Sequence, residues 1–159
     1  MNKLPEQLHL NVQLDDSISL DKFINCNSTK DFLNILNNTT EDNSISNFYF
    51  IWGDEGRGKS YIMQSLHRKH IEDGKLTFHF SFKEKKVTSP EILMNLDSLG
   101  AVFIEGLESM EISEEWEKAM FNLINGCYVS GTKIYLSSNI VSKDLPIKLK
   151  DLASRLSSF

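Results

Sequence analysis

Apolar runs of strand length alternating with amphipathic helical stretches predict an α/β chain, a doubly wound parallel sheet with helices on both faces. Three observations carry this. "FYFIW" (Phe48 to Trp52) and "AVFIE" (Ala101 to Glu105) are apolar almost throughout, as strands covered on both faces of a parallel sheet are. Trp116, Ala119, Met120, Leu123, Ile124 and Cys127 recur at i, i+3, i+4, i+7, i+8 and i+11, which is one continuous helical stripe. Finally, a glycine-rich loop follows the first strand directly and opens a helix.

The elements follow in order along the 159 residues, which suffice for one domain with a substantial core. Residues 1–25 lack helical or strand periodicity and read as an extended N-terminal segment; residues 26–159 read as a single nucleotide-binding core. Ser28 is placed to cap a helix, with Asp31 three residues on and Phe32, Leu33, Ile35 and Leu36 as its buried side. After the polar loop "NNTTEDNSISN" comes the strand Phe48 to Trp52, expected to be buried on both faces. A helix from Lys59 to about Asp73 turns Ile62, Met63, Leu66 and Ile71 inward and is closed by Gly74. "LTFHFSF" alternates Leu76, Phe78, Phe80 and Phe82 with polar residues, the pattern of a strand. "SPEILMNL" predicts a short helix with Ser89 as cap and Pro90 in its first turn, and "AVFIE" another strand. The striped helix runs from Ser113 to Ser130 and stops at Gly131. "KIYLSSN" is a fourth strand, and "DLPIKLKDLASRL" a last helix with Leu149, Leu152, Ala153 and Leu156 on its apolar face.

Composition narrows the class. A net charge of -5, with no long Lys/Arg block, argues against a general nucleic-acid binder, because neutralising phosphates needs a basic face. Lys83, Lys85 and Lys86 form the densest basic cluster and read as a solvated loop. Cys26 and Cys127 lie far apart without metal-ligand partners, pointing to a reducing cytoplasm, and neither reads as reactive. No apolar run approaches the ~20 residues of a membrane span. His9, His67, His70 and His79 show no metal spacing, and His67 with His70 reads as a pair on a helix surface.

"GDEGRGKS" (Gly53, Asp54, Glu55, Gly56, Arg57, Gly58, Lys59, Ser60) matches G-x-x-x-x-G-K-[ST] in full, in the strand-to-helix context that motif requires. Its backbone N–H groups would face the phosphates of a nucleotide, Lys59 the β- and any γ-phosphate, and the Ser60 hydroxyl a Mg2+ ion. Glu105, closing a buried strand, could hold the same metal through Ser60 or through water, or could face solvent at the strand end. The position after it is Gly106, which cannot polarise a water; Glu108 lies past the strand end. A phosphate loop lacking that carboxylate should hold nucleotide and hydrolyse it poorly, since orienting water and stabilising charge are nearly all that protein groups supply to phosphoryl transfer. Asn139 could hydrogen-bond a γ-phosphate or the neighbouring water, or cap the turn that follows it. Arg155 sits between apolar helix positions and is placed to project sideways, or to form a surface salt bridge.

"QLHLNVQL", "FIWGDEGRGKSYIMQSL", "LESMEISEEWEKAMFNLINGCYVSGTKIYLSSN" and "LKDLASRLSSF" together resemble, in matching order, the Hda family of regulators, relatives of the replication initiator DnaA in the AAA+ class of P-loop proteins. The resemblance implies that Gln7, Leu8 and Leu10 bind the DNA-loaded sliding clamp as an extended peptide. It also implies that Arg155 is a finger reaching in trans into the ATP site of DnaA. ADP is the implied resident nucleotide, ATP the other candidate, with Mg2+. The implied role is cytoplasmic and regulatory, with stimulation of DnaA's ATP hydrolysis preventing re-initiation. No membrane or direct sequence-specific DNA contact is expected, and self-association is possible. The pattern departs from the class in having Glu105 where Asp is expected. The class would also continue into a fifth strand and a helical lid after "LASRL", whereas this sequence ends at Phe159. Without a fifth strand the strand before the glycine loop should lie at a sheet edge. Two other readings compete: a P-loop ATPase of helicase- or clamp-loading type with its own turnover, and a nucleotide-binding paralogue that tethers the initiator to DNA.

Overall fold

A computed structural model describes residues 34–40, 46–84 and 89–159. The predicted Ser28 cap, Cys26, His9, Lys85, Lys86 and the N-terminal segment with Gln7, Leu8 and Leu10 lie outside these residues. In chain order the regular elements are α1 (34–39), β1 (Phe48–Trp52), α2 (Lys59–Glu72), β2 (Thr77–Ser81), β3 (Ala101–Glu105), α3 (Glu114–Ser130), β4 (Lys133–Ser138) and α4 (Lys150–Ser157). The four strands form one sheet in the order β1-β4-β3-β2, all pairs parallel.

Alternation along the strands divides the interior into two layers. On one face Ala101, Phe103 and Tyr135 pack with Ile62, Met63 and Leu66 of α2 and Leu36 of α1. On the other, Val102, Ile104, Ile134 and Leu136 pack with Trp116, Met120, Leu123, Ile124 and Cys127 of α3 and Leu152 and Leu156 of α4. The doubly wound prediction therefore holds. The α3 stripe faces inward as its spacing requires. The Ser113 hydroxyl accepts the Trp116 N–H at the start, and Gly131 ends the helix in the left-handed conformation with its N–H on the Cys127 carbonyl. Burial and then the nearby Asp97 charge push the Cys127 thiol up to about 12, consistent with an unreactive core cysteine.

Several expectations fail locally. The strand before the glycine loop is not buried on both faces: among the described residues β1 is an edge strand, its other residues are half-buried, and Trp52 is 60% exposed. Its residues pack partly against the core on both faces of the sheet. "SPEILMNL" forms two 3-10 turns, Pro90–Leu93 and Leu96–Ser98, rather than one helix. Asn95 between them takes φ 60, which breaks the helical path. Leu76 precedes β2 and is exposed, and Ile71 also faces solvent.

The largest correction concerns the histidines. His67 and His70 are buried, not a surface pair. Register explains why: Tyr49, Tyr135, Phe103 and His79 align across the four strands as one row. The rings of Phe103 and Tyr135 stack 4.7 Å apart and those of Tyr49 and Tyr135 4.9 Å apart. α2 lies over this row, His67 stacking on His79 at 5.3 Å and His70 meeting the Tyr135 ring edge-on at 5.6 Å. A flat aromatic floor suits imidazoles that keep one polar atom bonded. His67 Nε2 pairs with Thr77 Oγ1 at 2.8 Å, and His70 Nε2 with the Tyr135 hydroxyl at 3.0 Å.

Burial holds both imidazoles in the neutral form, lowering His67 and His70 from 6.5 to about 4. Below about pH 6.5 the unfolded chain takes up protons that the native chain refuses until about pH 4. Stability contributed by these groups is thus full above pH 6.5 and is lost as pH falls toward 4. The expected outcome is a urea midpoint that drops between pH 7 and pH 5, with a shallower drop in His67→Gln. A midpoint flat across that window would show that these histidines are not buried neutral.

Candidate nucleotide site

Parallel pairing carries the ends of β1, β3 and β4 to one edge of the sheet, and the candidate residues gather there. The loop Gly53 to Ser60 leaves β1 and enters α2, with the Gly53 N–H donating to the Ser138 carbonyl at the end of β4 (3.3 Å). Gly56 and Gly58 hold φ 77 and 83, so the loop curls in the left-handed region where a side chain is disfavoured. A Cβ at Gly56 would meet nothing within 4 Å, so the backbone conformation and not crowding is what favours glycine there. Gly58 is the residue before α2 and makes no side-chain cap, leaving the first N–H groups of the helix directed at the loop. Lys59 Nζ folds back on the loop, donating to the Gly53 carbonyl at 2.6 Å and the Asp54 carbonyl at 2.7 Å. Asp54 and Arg57 face solvent and approach each other at 4.0 Å. This arrangement fits phosphate groups of a nucleotide: a backbone curl, a helix start and a lysine already within the loop's reach.

Glu105 is buried rather than solvent-facing. Its Oε1 pairs with His79 Nε2 at 2.7 Å, and the Ser60 hydroxyl donates to the same carboxylate. Burial alone would raise its pKa; the His79 and Ser60 hydrogen bonds, helped by the His79 and Lys83 charges, outweigh that and hold it below the usual carboxylate range. An ionised carboxylate against the Ser60 hydroxyl is a donor pair suited to Mg2+, which takes one or two protein oxygens and completes its shell with phosphate and water. Among the described residues no group of three or more His, Cys, Asp or Glu could hold a metal by itself. Ser60 and Glu105 would therefore share the ion with a bound ligand.

Sequence reasoning missed what surrounds Gly106. This glycine sits at φ 74, and a Cβ there would come within 2.9 Å of Lys83 Cγ and 3.1 Å of Lys83 Cε. The Lys83 stem thus lies across the place a side chain at 106 would occupy, and its Nζ pairs with Glu108 Oε1 at 3.1 Å. Lys83 is not simply a solvated loop cation. Glu108 Oε2 accepts the Asn139 N–H at 3.0 Å, tying the end of β4 to the turn after β3. The turn after Asn139 is closed by Ser138, whose hydroxyl accepts the Ile140 N–H at 3.1 Å, so the Asn139 side chain is not needed as its cap. Asn139 Oδ1 is buried without a partner among the described residues, leaving it available to a ligand at this edge. Lysine after a phenylalanine strand and a glutamate three residues past an acid were legible as letters, but not their meeting over a glycine.

Arg155 lies elsewhere. It is exposed on the last turn of α4, its Cζ 5.5 Å from the centroid of the Tyr128 ring. Tyr128 in turn neighbours Phe48, the first residue of β1, while the glycine loop follows the last. The length of β1, roughly 13 Å at ~3.3 Å per residue, separates the two sites. Buried Glu117 anchors α4: its carboxylate accepts the Lys148 N–H at 3.1 Å and the Leu149 N–H at 2.6 Å, satisfying donors at the helix start. Leu152 and Leu156 then pack α4 against α3. A cleft of about 510 Å3 lies between the Pro90–Leu93 turn and α3 and includes no residue of the glycine loop. No helix among the described residues is long and apolar enough to cross a membrane.

Two stability outcomes follow. Gly106→Asp is expected to destabilise by about 1–2 kcal/mol from the left-handed backbone alone, and to yield no ATP turnover while Lys83 stands over the site. Glu117→Ala is expected to destabilise by about 2–4 kcal/mol, because it strands buried N–H groups. Urea denaturation measures both, and a Gly106→Asp protein as stable as the parent would refute the backbone assignment.

No protein-family model matches the chain. It is 31% identical over 158 residues to an uncharacterized protein of Haemophilus influenzae, covering 98% of this chain and 66% of that protein. Among solved structures, AMPPCP-bound DnaA from Aquifex aeolicus superposes with a TM-score of 0.78 at 20% identity, covering 92% of this chain and 49% of that one. Domain III of the Thermotoga maritima replication initiation protein DnaA superposes with a TM-score of 0.72 at 18% identity, covering 90% and 65%. The chain therefore spans about two thirds of its Haemophilus relative and half of the Aquifex protein. The parallel sheet, the glycine loop entering α2 and these likenesses agree on one fold: this chain has the doubly wound P-loop fold of AAA+ type seen in the DnaA structures.

Proposed function

We propose that this chain is a DnaA-related regulator of replication initiation that holds ADP in its glycine loop, docks on the DNA sliding clamp through Gln7, Leu8 and Leu10, and supplies Arg155 in trans to the ATP site of DnaA. The observation that carries the reading is the separation of Arg155 from the chain's own glycine loop by the length of β1, together with the exposure of its side chain. An arginine so placed is of no use to the nucleotide at Lys59, yet it is free to enter a neighbour's site.

The loop itself supports holding over consuming. Lys59 and the first turn of α2 would take the phosphates, Ser60 and Glu105 the Mg2+, and Asn139 Oδ1 a phosphate oxygen or a water. The position where a water-activating carboxylate would stand is Gly106, overlain by the Lys83 stem. A trans arginine is worth ~10³ to 10⁵ in rate, and its donor needs no hydrolytic acid of its own. The bound nucleotide would set the donor's shape while the reaction takes place in the partner.

The test combines clamp on DNA, DnaA loaded with labelled ATP, and this protein. The wild type should accelerate hydrolysis, and both Arg155→Ala and Gln7→Ala should abolish the acceleration. Lys59→Ala should lose ADP in equilibrium dialysis. Wild-type acceleration by Arg155→Ala would remove the finger assignment. Rapid ATP turnover by the purified protein alone would favour an ATPase of helicase- or clamp-loading type.

A further inference from the structure

We propose that Tyr128 is the positioning residue for Arg155, holding its guanidinium ready for a partner's bound triphosphate; the proposal rests on the trans-arginine reading above. Tyr128 closes the exposed side of α3 and is 65% exposed, a large aromatic surface left open near the helix end. Its ring is supported from one side by Phe48 at 6.0 Å, which Phe159 meets edge-on at 5.1 Å, and the Arg155 Cζ lies 5.5 Å from its centroid. The ring therefore rests against the start of β1 as well as against the arginine. Among the described residues no carboxylate pairs with Arg155.

That choice of partner has a chemical reason. A carboxylate would fix the arginine by neutralising it and occupying its N–H donors, the same groups a phosphate oxygen must meet. A ring face attracts the cation through its quadrupole and engages none of those donors in a strong hydrogen bond. The arginine is thus held without being neutralised, and fewer rotamers need freezing when the partner arrives. The helix beneath is equally constrained. α4 starts at the Glu117 clamp and ends beside Tyr128, so α3 sets both ends of the element that carries Arg155.

Tyr128→Phe and Tyr128→Leu separate the ring face from the hydroxyl and from mere bulk, and Arg155→Ala is the reference. In the full-length protein, the Arg155 side-chain proton resonances should be shifted by the ring in wild type and Tyr128→Phe, and should revert in Tyr128→Leu. In the assay with clamp-loaded DNA and ATP-bound DnaA, Tyr128→Leu should lower the maximal stimulated rate about two- to fivefold, the range an exposed cation–ring contact supports. Its half-saturating concentration should stay at the wild-type value, and Tyr128→Phe should retain the full rate. A Tyr128→Leu protein with the wild-type urea midpoint and the full maximal rate would overturn the proposal, as would a Tyr128→Phe protein as impaired as Tyr128→Leu. Full stimulation by Arg155→Ala would instead overturn the function proposed above, and the resonance shifts would still decide whether Tyr128 holds the arginine.

Discussion

The parallel pairing of β3 with β4, both buried on each face, is the constraint on which the rest of the molecule depends. Val102 with Ile134 and Ile104 with Leu136 lie side by side on one face, Phe103 with Tyr135 on the other, so a one-residue slip would turn each strand's apolar set to the wrong layer. Because the register cannot slip, the carboxyl ends of the two strands stay level. That levelness puts Glu105 against Ser60 and brings Asn139 beside Glu108. Chemistry at the edge is thus a consequence of packing in the middle.

The same sheet keeps two groups of side chains apart. Its carboxyl edge carries the glycine loop, the Ser60 and Glu105 oxygens and the Lys83–Glu108 pair that overlies Gly106. Arg155 and Tyr128 lie instead beside Phe48, at the amino end of β1. A strand is stiff along its length, so the two regions stay separated without any further device. α3 links them mechanically, since its first turn clamps the start of α4 through Glu117 and its end lies beneath Arg155.

The polar groups drawn into the interior show how the sheet tolerates them. Glu105 is stabilised by His79 and Ser60, Glu117 by two backbone N–H groups, and His67 and His70 by hydroxyls while their rings lie on the aromatic row. Each of these side chains keeps at least one hydrogen-bond partner, as buried polar groups generally do. His67 and His70 remain neutral at ordinary pH because burial, helped by neighbouring cationic groups, disfavours their charged forms.

The sequence by itself determined the alternation of strand and helix, the α3 stripe between Ser113 and Gly131, and the glycine loop, because each is written in local spacing of a few residues. It also made the absence of an acid at Gly106 plain, and it marked Arg155 between apolar helix positions. Tertiary structure alone decided that β1 is only half-buried along its length, since an apolar run looks the same whether its faces are fully or partly covered. It alone brought His67 and His70 inside, because their burial depends on an aromatic row assembled from four separate strands. And it alone showed Lys83 lying over Gly106 and Tyr128 lying under Arg155, contacts between residues 23 and 27 positions apart that no local periodicity encodes.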